Sequence, residues 1–247
     1  MSSLANQGWK RPTVFYNHTV KWIVYVPLDR LLAGVQEAQR LLSQMVPPNF
    51  GSRQRNLIWS GVIESLSMSI IATVVGVTLA LPVSLMAAKN IAPTPIYLIG
   101  HMITSVTRTF HSLILALVMV KLFGVGPLAG ITTMSVLTIG FFSKLLSEDI
   151  ENIEAVRATG ANQYSVLMYG VLPQVLPRII GLSVYTWDIN LRSSSVIGIV
   201  GAGGIGITLL NSFDAFMYGF SAAIILVIIF IVLSGEMISA LVRKRYQ

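Results

Sequence analysis

Arg108, His111, Asp188, Asn190 and Arg192 are polar or ionisable side chains set inside otherwise apolar stretches. Asp188 and Arg192 are four residues apart, which puts both on one face of a helix, where carboxylate and guanidinium can pair. At ~1.5 Å per residue they lie roughly 20 Å along the stretch 175–198. Ionised groups at that depth in hydrocarbon are costly, so they face a bundle interior or a water-filled path and pair there. Arg108 and His111 are three apart within 96–123, beside Thr104 and Thr107, and read as a second patch on one helical face. A guanidinium so placed offers an anion a positive field and a fork of N–H donors. Two readings stay open: the charges neutralise each other, or these residues line a path for an anion.

Other chemistries find less support. His18, His101 and His111 lack clustered ligand spacing, so no metal site is expected. The chain has no cysteine, which removes disulfides and thiolate ligands. Gly201-Ala-Gly-Gly-Ile-Gly206 fits G-x-G-x-x-G, but no strand precedes it and no βαβ unit surrounds it. Gly201, Gly203, Gly204 and Gly206 are therefore read as turn or gate glycines, with a plain helix-breaking turn as the alternative. No G-x-x-x-x-G-K-[S/T] loop occurs, so the chain has no phosphate cradle for ATP of its own. An intramembrane enzyme would need paired carboxylates or a His/Glu set, and Asp188 alone makes neither. No catalytic residue, and no cofactor bound by this chain, is expected.

The elements that must hold these residues are membrane helices. Of 247 residues 54% are hydrophobic and 11% charged, against about 25% charged in soluble domains. Residues 65–88, 122–143 and 215–235 contain no Asp, Glu, Lys or Arg, and each run suffices to cross a hydrocarbon layer of roughly 30 Å. The reading is an all-α polytopic membrane protein with five spans near 60–88, 96–123, 127–147, 175–198 and 215–241. Residues 57–247 form the transmembrane domain and 1–56 an N-terminal tail with an interfacial helix. Leu28, Leu31, Leu32, Val35, Leu42 and Met45 recur at helical spacing, as on a helix lying on lipid. Lys10, Arg11 and Lys21 argue instead for a sixth span over about 14–40, since they would otherwise sit outside.

Lys/Arg asymmetry sets the orientation. Lys89, Lys144, Arg157, Arg178, Arg243, Lys244 and Arg245 gather on one side, against Lys121 on the other. The long connection 148–174 and the C-terminus are thus expected in the cytoplasm. The net charge of +7 comes from basic residues scattered near span ends, which orients a membrane protein and makes no nucleic-acid surface.

The connection 148–174 is polar and prone to helix. Glu148, Asp149, Glu151 and Glu154 cluster at its start, where they would favour a helix N-terminus. Small Ala155 and Ala158 let another surface approach, Gly160 turns the chain, and Pro173 and Pro177 fit early positions of the next helix. The bland alternative is a solvated loop helix. Glu154-Ala155-Val156, three residues, Gly160, eleven residues and Leu172-Pro173 resemble the EAA loop of ABC importer permeases, with Val156 for the second Ala and Gly170 for the usual Ile. Residues 143–210 are similar to the phosphonate/phosphite subgroup, carried by Ser143-Lys-Leu-Leu-Ser-Glu148, Arg157-Ala-Thr-Gly-Ala-Asn162, Tyr169-Gly-Val-Leu-Pro-Gln174, Asp188-Ile-Asn-Leu-Arg192 and Val200-Gly-Ala-Gly-Gly-Ile-Gly206.

That resemblance implies a bacterial inner-membrane permease subunit that does no chemistry itself. Glu154, Ala155, Arg157, Ala158, Gly160, Ala161, Leu172 and Pro173 would form the coupling element that docks on a cytoplasmic ABC ATPase dimer, where ATP and Mg are held. It implies an extracytoplasmic substrate-binding protein at the Gly201–Gly206 side and a second permease copy, with lipid around the homodimer. The solute would be phosphonate or phosphite. An importer of another solute, such as methionine or another oxyanion, is the alternative.

Overall fold

A computed structural model of the chain describes residues 28–151 and 172–246. Residues up to Leu41 form one compact unit and those from Leu42 a second. The first includes most of helix α1 (Leu28–Met45), which bears out the helical spacing of its leucines.

In the second unit, apolar runs punctuated by Pro and Gly fold into α2 (Ser52–Ala87), α3 (Thr94–Thr109), α4 (Ser112–Phe123), α5 (Pro127–Glu151), α6 (Leu172–Gly198), α7 (Ile205–Asp214) and α8 (Tyr218–Tyr246). At ~1.5 Å per residue α2 runs about 54 Å, longer than a bilayer core. Small residues recur along its buried face at Ser65, Ser69, Ala72, Gly76, Ala80 and Ser84, which lets α5 approach closely, as small residues do in membrane bundles. Thr138 of α5 fills the space a side chain at Gly76 would need, and Ser135 Oγ donates to the Ala72 carbonyl at 3.4 Å. Toward the cytoplasmic end, by the charge-based orientation, Ala80, Phe142, Leu146, Ile150, Val175 and Leu182 make one apolar core. A second gathers Met68, Ala72, Ala116, Met134 and Ile197, and a third joins Ile58, Val62 and Ile205 to Phe220 and Ile224.

Three of the described helices are long and apolar enough to cross a membrane singly: Ser52–Ala87, Pro127–Glu151 and Tyr218–Lys244. The structure corrects the predicted continuous span 96–123. It is two helices, α3 and α4, meeting at 94°. Phe110 (ψ 126°) and His111 (ψ 141°) are extended, and His111 Nδ1 accepts from the Leu113 N–H at 3.4 Å, capping α4. Arg108 and His111 therefore do not share a helical face. Arg108 lies in the last turn of α3, where a cation meets the negative end of the helix dipole.

The acidic cluster is a second correction. Glu148, Asp149 and Glu151 lie within α5, whose described residues end at Glu151, and not at a helix start. Each has its own partner. Lys144 Nζ pairs with Glu148 at 2.9 Å, Arg178 Nε with Asp149 at 2.7 Å, and the Lys89 backbone N–H donates to Glu151 at 2.7 Å. The span predicted to open at 215 begins at Tyr218, and α7 precedes it as a separate short helix.

Candidate functional site

Three places along the helices concentrate polar groups. On either side of the connection 148–174, the Arg178–Asp149 pair joins α6 to α5. Asn90 Nδ2 donates to the Ile150 carbonyl at 3.1 Å, adding the α2–α3 turn to this collar. Leu172 and Pro173 open α6, Pro173 in the first turn where its missing N–H costs nothing. Glu154, Ala155, Arg157, Ala158, Gly160 and Ala161 lie outside the described residues.

Midway along α6, its polar residues divide between two sides. Asp188 is buried, and its Oδ2 meets the Arg192 guanidinium at 3.5 Å. Arg192 also lies 4.0 Å from Glu236 on α8. Gly235 makes room there, since a side chain would strike Leu191 and come near Asp188 Oδ1. Asp188 Oδ1, Trp187 Nε1 and Ser239 Oγ are buried without hydrogen-bond partners among the described residues. Arg192 and Glu236 keep 56% and 57% of their side-chain surface exposed. Charged groups exposed at this depth require something other than lipid against them.

Asn190 faces the other way. Its Nδ2 donates to Thr73 Oγ1 at 2.9 Å and Thr138 Oγ1 at 3.0 Å. This buried amide ties α6 to both α2 and α5, so it does not join Asp188 and Arg192 in one polar wall. It borders a cavity of about 240 Å³ between the end of α3, α5 and α6, which Arg108 also lines. Gly140 lets α3 close onto α5 here, because Thr107 occupies the place of its missing side chain. Arg108 makes no hydrogen bond or ion pair among the described residues. The structure thus brings Arg108 and Asn190 to one cavity and leaves His111 at the α4 cap.

At the far end, Gly201, Gly203 and Gly204 have φ of 91°, 89° and 74°, a region that other residues enter only with strain. They wrap the α6–α7 connection against α2 and α5. The Gly126 N–H donates to the Gly201 carbonyl at 2.9 Å. Glu64 accepts the Gly204 N–H at 3.0 Å and Ser65 Oγ accepts the Ile205 N–H at 2.9 Å, capping α7. Gly206 packs on Gly198 and the Ser195 carbonyl. The sequence points to glycines here but offers Glu64 no distant partner. Its bond to Gly204, far along the chain, lacks any local signal.

Residues 80–247 match the family described as binding-protein-dependent transport system inner membrane component. The chain belongs to this family. The permease is 35% identical over 223 residues to the phosphite transport system permease protein PtxC of Stutzerimonas stutzeri, covering 88% of this chain and 80% of that protein. It is 36% identical over 211 residues to the phosphate-import permease protein PhnE of Mycolicibacterium smegmatis, covering 83% of this chain but only 40% of that longer relative. In fold the permease is similar to a crystal structure of the MetNI methionine ABC transporter in an inward-facing conformation. The TM-score is 0.68 at 21% identity, over 80% of this chain and all of that one. The all-helical importer-permease architecture read from the sequence is thereby borne out.

Proposed function

We propose that this permease carries a phosphorus oxyanion into the cell as the membrane subunit of an ABC importer. The phosphite relative, matched along most of both chains, is the observation that carries the reading. The exposed Arg108 guanidinium beside the cavity, without a partner among the described residues, adds to it, since an anion is what it would attract. The methionine importer shares the fold at an identity that speaks for fold alone, so a methionine cargo has less behind it.

Two copies would enclose the path, because the exposed Arg192 and Glu236 need cover inside the bilayer. An extracytoplasmic binding protein would deliver the anion at the glycine loop. The segment around Glu154–Gly160 would dock on a cytoplasmic ATPase dimer that alone binds ATP and Mg, with the C-terminus on the same side. The permease then contributes no catalytic group. Its work is the difference in binding energy between two arrangements of its helices. The collar of Arg178–Asp149 and Lys89–Glu151 supports this role, because it ties both flanks of the coupling segment to the bundle. The test is uptake in proteoliposomes containing permease, ATPase and binding protein. Glu154→Arg should leave the permease in the membrane but abolish both uptake and binding-protein-stimulated ATP hydrolysis. Unaltered uptake and stimulation would overturn the coupling assignment.

A further inference from the structure

We infer that Glu64 is a positioning residue for transport: its carboxylate latches α7 against α2 at the outer end of the permease, and releasing Gly204 lets α7 swing as the path opens outward. This rests on the transport reading above and adds to it the group that holds the outer end shut.

α7 does not hold itself in place. Its ten residues (Ile205–Asp214) rise ~15 Å, about half of a hydrocarbon layer of roughly 30 Å. Its N-terminus has no cap of its own, because the N-cap residue is Gly204, which offers no side chain. The first N–H groups of a helix need acceptors from elsewhere. For two of them the acceptors come from α2. Glu64 Oε1 accepts the Gly204 N–H at 3.0 Å, and Ser65 Oγ accepts the Ile205 N–H at 2.9 Å. A carboxylate also suits the positive end of a helix dipole.

The two ends of α7 are fastened differently. At the far end the Ser212 and Ser221 hydroxyls bond at 2.7 Å, and the Ala215 N–H returns to the Asn211 carbonyl at 3.0 Å. A tight turn thus ties that end to α8. At the near end Gly201, Gly203 and Gly204 hold φ of 91°, 89° and 74°, and glycine enters and leaves that region at little cost. One end is therefore a pivot and the other a hinged end that two α2 side chains hold. Hinges are typically a few such residues at the ends of elements. In the latched arrangement Ile205 is buried in one apolar cluster with Ile58 and Val62 of α2 and Phe220 and Ile224 of α8. Swinging α7 uncovers it.

The chain has no cysteine, so Ile205→Cys supplies a single thiol as reporter. Its labelling by a membrane-impermeant maleimide is followed in the reconstituted transporter, nucleotide-free and trapped with ATP and vanadate. Labelling should be slow without nucleotide and about tenfold or more faster in the trapped form. Added to this background, Glu64→Ala should speed nucleotide-free labelling by about tenfold or more, since it removes a charge-assisted hydrogen bond. It should also raise ATP hydrolysis in the absence of binding protein, because the outward arrangement becomes easier to reach. Glu64→Gln keeps an acceptor without the charge, and should lie closer to wild type than Glu64→Ala does in both readouts. If Glu64→Ala does not assemble, Ser65→Ala decides, with a smaller change in the same directions. Equal labelling in the two forms would overturn the latch, as would Glu64→Ala within about twofold of wild type. Faster labelling with hydrolysis unchanged would also overturn it, leaving Glu64 a purely structural cap. A wild-type transporter whose hydrolysis ignores the phosphite-loaded binding protein would instead overturn the transport reading. The nucleotide-free labelling of Glu64→Ala would then still decide whether Glu64 holds α7 closed.

Discussion

Replacing Asn190 by leucine removes a side chain that hydrogen-bonds α6 to both α2 and α5 near the middle of the bundle. Leucine has nearly the same shape, so packing is largely kept and the lost hydrogen bonds dominate. Asn190 donates at 2.9 Å to Thr73 and 3.0 Å to Thr138. Interhelical bonds of this kind average ~0.6 kcal/mol and reach ~1.7 in membrane proteins, so the pair is worth about 1–3 kcal/mol. Thr73 keeps its own bond to the Ser69 carbonyl at 2.7 Å. The loss should therefore fall more heavily on the Thr138 arm. Denaturant unfolding of the purified permease in mixed micelles measures the cost, and Thr73→Val and Thr138→Val complete two double-mutant cycles. The expected result is a destabilisation of about 1–3 kcal/mol, with the larger coupling to Thr138. Wild-type stability in Asn190→Leu, or zero coupling in both cycles, would refute the assignment of Asn190 as an interhelical tie.

Arg192→Leu leaves the buried Asp188 carboxylate without its half-exposed cation and should cost about 1–3 kcal/mol in the same unfolding assay, while Arg192→Leu with Asp188→Leu should recover most of it. Gly204→Ala places a side chain at φ 74° and against Ser65 Oγ, so its unfolding free energy should fall by about 1–2 kcal/mol or more, and Ser65→Gly should relieve only the steric part. Asp149→Arg, placed beside Arg178, should reduce uptake per ATP hydrolysed, and the exchange Asp149→Arg with Arg178→Asp should restore it. Because this pair is partly exposed, its effect on stability alone should stay within about 1 kcal/mol.

Part of the site is legible in residue types. The four-residue spacing of Asp188 and Arg192 predicts their ion pair, because helical periodicity fixes which side chains share a face. The glycines at 201–204 predict a turn, and all three occupy positive φ. Where the sequence reading fails, the deciding force is non-local. Apolarity over 96–123 looks like one helix, and the α3–α4 break becomes visible only with the extended backbone at Phe110 and His111. Glu148, Asp149 and Glu151 look like a helix start because acids favour one. Asp149 and Glu151 lie within α5 instead, and their partners Arg178 and Lys89 arrive from another helix and from the α2–α3 turn.

Alone, the chain determined its solvent, its helices and its family, because hydrophobic runs and the spacing of a polar connection are local properties written along the backbone. Tertiary packing decided that Asn190 turns inward while Asp188 and Arg192 turn toward α8. It also decided that Glu64 caps a helix 140 residues away, and that Arg108 is left beside a cavity without a partner among the described residues. The physical reason is that in a bundle each polar group must be satisfied by whichever helix packs against it. Which helix that is depends on where small residues allow backbones to meet.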